Sequence, residues 1–223
     1  MKERPILFSA PMVRALLDGT KTQTRRVVKH KWPHLWTEPW YPTGKVLTDL
    51  QNQPGAWMEF RHRQQDEPAY EGSPASTLVL CPHGQPGDRL WVRETFAKEY
   101  DYCDHPEAPG APTEHFHYGW HYRADGVPKR EDLEGFLSDW KPSIHMPRSA
   151  SRITLEITEV RVERLQEISR GDAMAEGCPF PNMANGSNPV HWYADLWNSI
   201  NGNGPGSWDA NPWVWCISFR RLP

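Results

Sequence analysis

Short patterned runs of apolar and polar residues alternate along this chain with long stretches that have no period. Ser9 to Gly19 predicts a short helix, with Pro11 in its first turn, Met12, Ala15 and Leu16 on one face, and Gly19 placed to end it. Thr20 to Val28, rich in β-branched residues, predicts entry into a strand. Pro86-Gly87-Asp88 predicts a turn, and Arg89 to Glu94 a compact strand after it. Ile153, Leu155 and Ile157 alternate with polar neighbours before the apolar parity moves to Val160 and Val162, which predicts a strand with a β-bulge near Thr158–Glu159. Ser169 to Gly177 predicts a second helix, with Ser169 as its cap, Asp172 three residues on and Gly177 as its stop. A third begins at Asn188-Pro189 and aligns Tyr193, Leu196, Trp197 and Ile200 on one face. Trp213, Trp215, Ile217 and Phe219 alternate along a final strand.

Between these runs lie two long insertions. Residues 29–86 fill with Trp, Pro, His and Gln and predict irregular structure, with short strands at Ala56–Phe60 and Thr77–Leu80. Residues 98–147 hold five basic and ten acidic residues and one helical turn near Glu131–Leu137. Insertions of this length suit lids or binding loops. The ordered pieces (5–28, 87–97, 150–178 and 188–222) are expected to form one α+β domain with a strand-dominated core.

Composition adjusts this picture in two ways. With 22 Pro and 16 Gly much of the chain must be loop, while 12 Trp and 7 Tyr supply the burial that a folded core needs. Four cysteines, far apart, give no disulfide framework, and no apolar run is long enough to cross a bilayer or act as a signal peptide, so a cytoplasmic protein without a membrane partner is expected. The net charge of −3 hides an asymmetry: residues 1–31 hold eight Lys or Arg against Glu3 and Asp18. Within that head Lys21, Arg25, Arg26, Lys29 and Lys31 run without an intervening acid, a cluster that attracts phosphate or nucleotide, or else a solvated strand end.

Candidate chemistry is sparse. Cys103-x-His105 and His115-x-His117 are two pairs nine residues apart, an unusual spacing for zinc, so a polar loop is the expectation and no metal or other cofactor is expected. No phosphate-binding glycine loop, serine elbow or His-Glu-x-x-His pattern is present. What remains is Gly19-Thr-Lys21-Thr-Gln-Thr24-Arg25-Arg26. A lysine beside a hydroxyl residue can serve as its base if the amine is neutral, which needs burial or nearby positive charge such as Arg25 and Arg26. In a regular strand Lys21 and Thr24 would face opposite ways, so their pairing demands a turn or bulge after Gly19. On pattern alone a basic polar strand accounts for the same residues.

The Gly-x-Lys-x-x-Thr-x-Arg pattern (Gly19, Lys21, Thr24, Arg26) resembles the signature of the ASCH domain, a β-barrel relative of the PUA domain. The preceding helix, Gly87-Asp88-Arg-Leu-Trp-Val-Arg93-Glu94, the strand from Ser151 to Val162 and the Trp-Val-Trp-Cys-Ile-Ser-Phe strand follow in the matching order. Pro-Ile-Leu-Phe-Ser near the start, Tyr122-Arg-Ala-Asp-Gly126 and Trp140-Lys-Pro-Ser-Ile-His-Met-Pro147 are similar to the longer ASCH proteins of bacteriophages and prophages. The resemblance covers about half the chain and leaves the insertions without counterpart.

It implies a PUA-like β-barrel with flanking short helices and a cleft for nucleobases or RNA. Small bacterial members are amidohydrolases that remove the acyl group from cytidine acylated on its exocyclic amine, using Lys and Thr of the signature and a downstream Glu. Lys21 and Thr24 match directly; Glu176 is the acid implied, with Glu94 as the second choice. Arg26, Trp91, Arg93 and Glu94 are the implied substrate-binding residues: Arg26 or a backbone amide steadies the oxyanion, and Trp91 is either core or a surface on which the base stacks. The other expectation is a PUA-like module that binds, or cuts, RNA. The net negative charge and the acidic second insertion favour a small nucleoside over a long polyanion.

Overall fold

The computed structural model describes residues 1–29, 40–50, 53–62, 76–100, 117–179 and 188–223. In chain order the elements are β1 (Glu3–Leu7), α1 (Ala10–Leu17), β2 (Gln23–Val27), β3 (Trp40–Leu50), β4 (Gln53–His62), β5 (Ser76–Leu80), β6 (Arg89–Arg93), β7 (Phe96–Tyr100), β8 (His117–Tyr122), β9 (Phe136–Leu137), β10 (Thr154–Arg164), α2 (Arg170–Ala175), α3 (Pro189–Asn201) and β11 (Trp213–Arg221). The fold is α+β, mostly sheet, as expected. The main sheet has the order β1-β6-β10-β11-β2, with β1 parallel to β6 and the other pairs antiparallel. The expected bulge lies in β10, where the register against β11 shifts between Ile157 and Glu159.

The sheet is not closed into the expected barrel. β1 and β2 remain its two edges, and side chains rather than a backbone ladder occupy the gap between them: the Arg26 guanidinium on β2 donates to the Leu7 carbonyl on β1 at 2.7 Å and lies over the Phe8 ring.

Both faces of the sheet are covered. On one face Leu90, Val92, Leu155, Ile157, Trp215, Ile217 and Phe219 pack with Val13 and Leu16 of α1. The stripe of α1 turned inward is thus Val13 and Leu16, with Met12 and Ala15 only half-buried beside it. On the other face Val214 and Cys216 meet Ala173 of α2 and Tyr193 and Trp197 of α3. A strand covered on both faces loses its alternation, and for that reason Val214 to Ile217 are buried in succession. Ile200, expected on the buried face of α3, is 52% exposed and borders an open cleft.

The two insertions are more regular than expected. Residues 40–80 contain the antiparallel sheet β3-β4-β5, which includes both short strands expected there. β3 escapes its pattern because the register breaks between Pro42 and Val46. Ala56, Met58, Val79 and Cys81 of this region join the main core. The second insertion contributes the sheet β8-β7-β9, and its helical turn is a single 3-10 turn at Arg130–Asp132, followed by strand pairing at Phe136–Leu137.

Candidate active site

α1 ends at Asp18, and Gly19 adopts φ +74°, which turns the chain back so that the amides of Thr20 and Lys21 both donate to the Ala15 carbonyl. Lys21 forms an isolated bridge with Glu176, Thr22 donates to the Ala175 carbonyl, and regular pairing of β2 begins only at Gln23. The expected turn after Gly19 is therefore present. Lys21 Nζ donates to the Gln23 carbonyl at 2.8 Å, to the Glu176 carbonyl at 2.9 Å and to Glu176 Oε2 at 2.7 Å. All three ammonium protons are thereby placed, and the first of these acceptors belongs to the peptide that joins Gln23 to Thr24.

Glu176 arrives from the other side of the site. Ser169 caps α2 by accepting from the Asp172 amide, the Asp172 carboxylate answers the Ser169 amide, and Glu176 is the C-cap. Gly177 follows with φ +94°; a Cβ there would stand 2.9 Å from that of Ala15 and 3.3 Å from that of Lys21. Only glycine lets the end of α2 close against α1 and Lys21.

Behind this pair lies a balanced ionic network. Arg25, 2% exposed, faces Glu163 at 3.0 Å, Asp172 at 3.3 Å and Glu176 at 3.5 Å. Arg161 pairs with Glu163 and, at 2.7 Å, with Asp172. Lys21, Arg25 and Arg161 thus stand against three carboxylates, and Gln23 links Asp172 to Arg25. Burial draws the Lys21 ammonium below the ordinary lysine range, the Glu176 carboxylate opposes this, and Arg26 and Arg25 add to the depression.

The gap between β1 and β2 opens into a cleft of about 440 Å³. Thr24, Arg25, Arg26 and Glu176 line it on one side; Tyr193, Leu196, Trp197 and Ile200 of α3 supply a largely apolar wall, and Ile6, Leu7 and Met12 complete it. Lys21 lies behind this surface, its side chain fully buried. Burial and the nearby Glu176 charge hold the Tyr193 phenol in its protonated form, well above its usual range. His83 also lines the cleft, pushed down to about 4 by burial and by the charges of Arg26 and Arg4. An imidazole in that state is neutral at pH 7.

The structure places Thr24, Arg26 and Glu176 on this cleft and Lys21 behind it, with the three ammonium protons of Lys21 directed to Gln23 and Glu176 oxygens and not to Thr24; Trp91, Arg93 and Glu94 lie elsewhere. Leu90 and Val92 point into the core, so Trp91 and Arg93 project from the opposite face of β6, and neither lines the cleft. Trp91 lies beneath the Arg93 and Arg148 guanidinium groups, and Arg93 donates to the Ile144 carbonyl. Glu94, 1% exposed, accepts two hydrogen bonds from Arg152, which also clasps Asp125 and lies over the Tyr122 ring. Burial raises its pKa while Arg152 opposes the rise. Glu94 is thus held in a buried pair with Arg152 and is not among the residues that line the cleft.

Sequence reasoning misses His83, Tyr193 and Arg25 as cleft residues. Tyr193 is expected in the core, and it serves the core and the cleft together; for His83 the available signal is its position in a Cys-Pro-His-Gly turn. Among the described residues no group of three or more His, Cys, Asp or Glu is arranged to hold a metal ion, and no helix is long and apolar enough to cross a membrane. Cys103, His105 and His115 lie outside the described residues, and His117 begins β8. Comparison of the chain with protein-family models, curated proteins and solved structures returns no match.

Proposed function

We propose that this chain is an amidohydrolase of the ASCH, PUA-like type, which removes the acyl group from cytosine nucleosides acylated on the exocyclic amine. The observation that carries the reading is the wholly buried Lys21–Glu176 pair set directly behind a cleft that Thr24 lines. The cleft volume suits a small molecule, which favours a nucleoside over a polymer.

The chemistry runs through these side chains. Burial weakens the hold of Lys21 on its proton, and at 2.7 Å that proton can pass along the hydrogen bond to Glu176, leaving a neutral amine and a carboxylic acid for the reaction. The amine takes the Thr24 hydroxyl proton as the oxygen attacks the acyl carbonyl. Arg26 stabilises the oxyanion. Collapse breaks the C–N bond, the Glu176 acid protonates the departing cytosine amine, and an acyl ester remains on Thr24. Water, deprotonated by the Glu176 carboxylate, hydrolyses that ester; the carboxylate product leaves and the Thr24 hydroxyl regains its proton.

The test is incubation of the purified protein with acetylcytidine in the presence of chelator, following cytidine release by ultraviolet absorbance beside Lys21→Ala and Thr24→Ala. Turnover abolished by both substitutions supports the reading. A folded wild type without turnover overturns it and leaves RNA binding as the remaining account of the cleft.

A further inference from the structure

Besides the main sheet, α1 and α3, the first insertion also contributes to the cleft lining. His83 enters it from the turn after β5, so the inserted sheet reaches the gap between β1 and β2. This turn is held at both ends. Cys81 is buried in the main core and its amide donates to the Ala56 carbonyl at 2.7 Å. Gly84 has φ +116°, and a Cβ there would stand 2.7 Å from Arg4 Nη1 and 2.9 Å from Asp88 Oδ2. The Asp88 carboxylate in turn accepts from the amide of Lys2 at 2.7 Å and from Arg4 at 2.8 Å. His83 is thus presented to the cleft on a braced turn, in a lining that also includes Arg26, paired with the Leu7 carbonyl, and the exposed Lys29.

We propose that His83 is a ligand-contacting residue, through which the inserted sheet selects an uncharged heterocyclic edge carrying hydrogen-bonding groups, as a nucleobase does. A neutral imidazole offers one donor and one acceptor. Burial and the two flanking arginines keep it in that state, so it discriminates by hydrogen-bond pattern and not by charge. The assignment rests on the cleft being the nucleoside site proposed above, and it gives the first insertion a role in recognition.

Steady-state kinetics on acetylcytidine with His83→Ala and His83→Gln test it. Loss of one hydrogen bond to a neutral ligand should raise KM roughly three- to tenfold in His83→Ala, with the change falling on KM more than on kcat, and His83→Gln should restore most of it. Wild-type KM in His83→Ala, or a loss confined to kcat, overturns the assignment. If the wild type shows no turnover, the amidohydrolase reading fails by itself, and nitrogen NMR of the histidine side chains during a cytidine titration still decides this point. The His83 signal, identified by its loss in His83→Gln, should then move saturably; a His83 signal that stays still overturns the inference.

Discussion

The amine of Lys21 lies 2.7 Å from the carboxylate of Glu176, although 155 residues of chain separate the two. Both side chains are buried, with exposures of 0% and 2%, and Glu176 alone of the two borders the cleft. A buried ion pair of this kind repays its desolvation only when its remaining hydrogen-bonding capacity is met, and here two main-chain carbonyls complete the shell of the lysine.

Removing one partner therefore strands a charge. Lys21→Met is expected to destabilise the protein by about 3–5 kcal/mol, and the double variant Lys21→Met/Glu176→Leu by clearly less than the two single costs added together. Urea unfolding of the four proteins measures the coupling; additive costs would mean that the pair is not formed.

On the amidohydrolase reading, substitutions at Thr24 should separate chemistry from stability. Thr24→Ser keeps a hydroxyl and should retain measurable acetylcytidine turnover, whereas Thr24→Val should lower kcat by at least about 100-fold, the scale on which a nucleophile and its base act. Equal activity in Thr24→Val and the wild type would exclude an acyl-threonine route.

Two glycines distinguish a strained backbone from a close approach. At Gly19 (φ +74°) an added methyl group would meet nothing within 4 Å, so Gly19→Ala should cost about 1 kcal/mol for the left-handed conformation alone. Gly177→Ala adds contact with Ala15 and Lys21 and should cost about 2–4 kcal/mol, with a fall in kcat that Gly19→Ala does not share. Thermal unfolding and turnover of both variants check this.

His83 makes stability depend on pH. Its folded pKa of about 4 lies below the ordinary 6.5, so its contribution is complete above pH 6.5 and is lost as pH falls from there through 4. The loss should reach at most about 3 kcal/mol and be missing from His83→Gln. Urea unfolding at pH 7 and pH 4 reads the difference; equal losses in both proteins would place His83 in open solvent.

Much of this architecture is legible in the residues themselves. The caps Ser169 and Asn188, the stop at Gly177 and the parity change in β10 each follow from local chemistry, and each stands where its pattern implies. Glu176 is legible only through family resemblance, since no local rule ties a helix-end carboxylate to a lysine so far upstream. Trp91 and Arg93 do not reach the cleft, because Leu90 and Val92 already reserve the inner face of β6 and leave their neighbours the outer one. β3 is hidden by Pro42 and Gly44, and the burial of Val214 and Cys216 by a second layer that no alternation along β11 announces.

The strand order carries a consequence for how the molecule is made. Among the described strands β2 pairs only with β11, whose residues lie nearly the whole chain downstream. During synthesis Thr24 and its neighbours must wait, without a sheet partner, until Trp213–Arg221 has left the ribosome. The cleft is then assembled late, by a long-range closure of high contact order. A nascent chain therefore has no complete cleft, and its waiting edge, rich in Lys and Arg, carries the charge that discourages pairing with another chain in the interval.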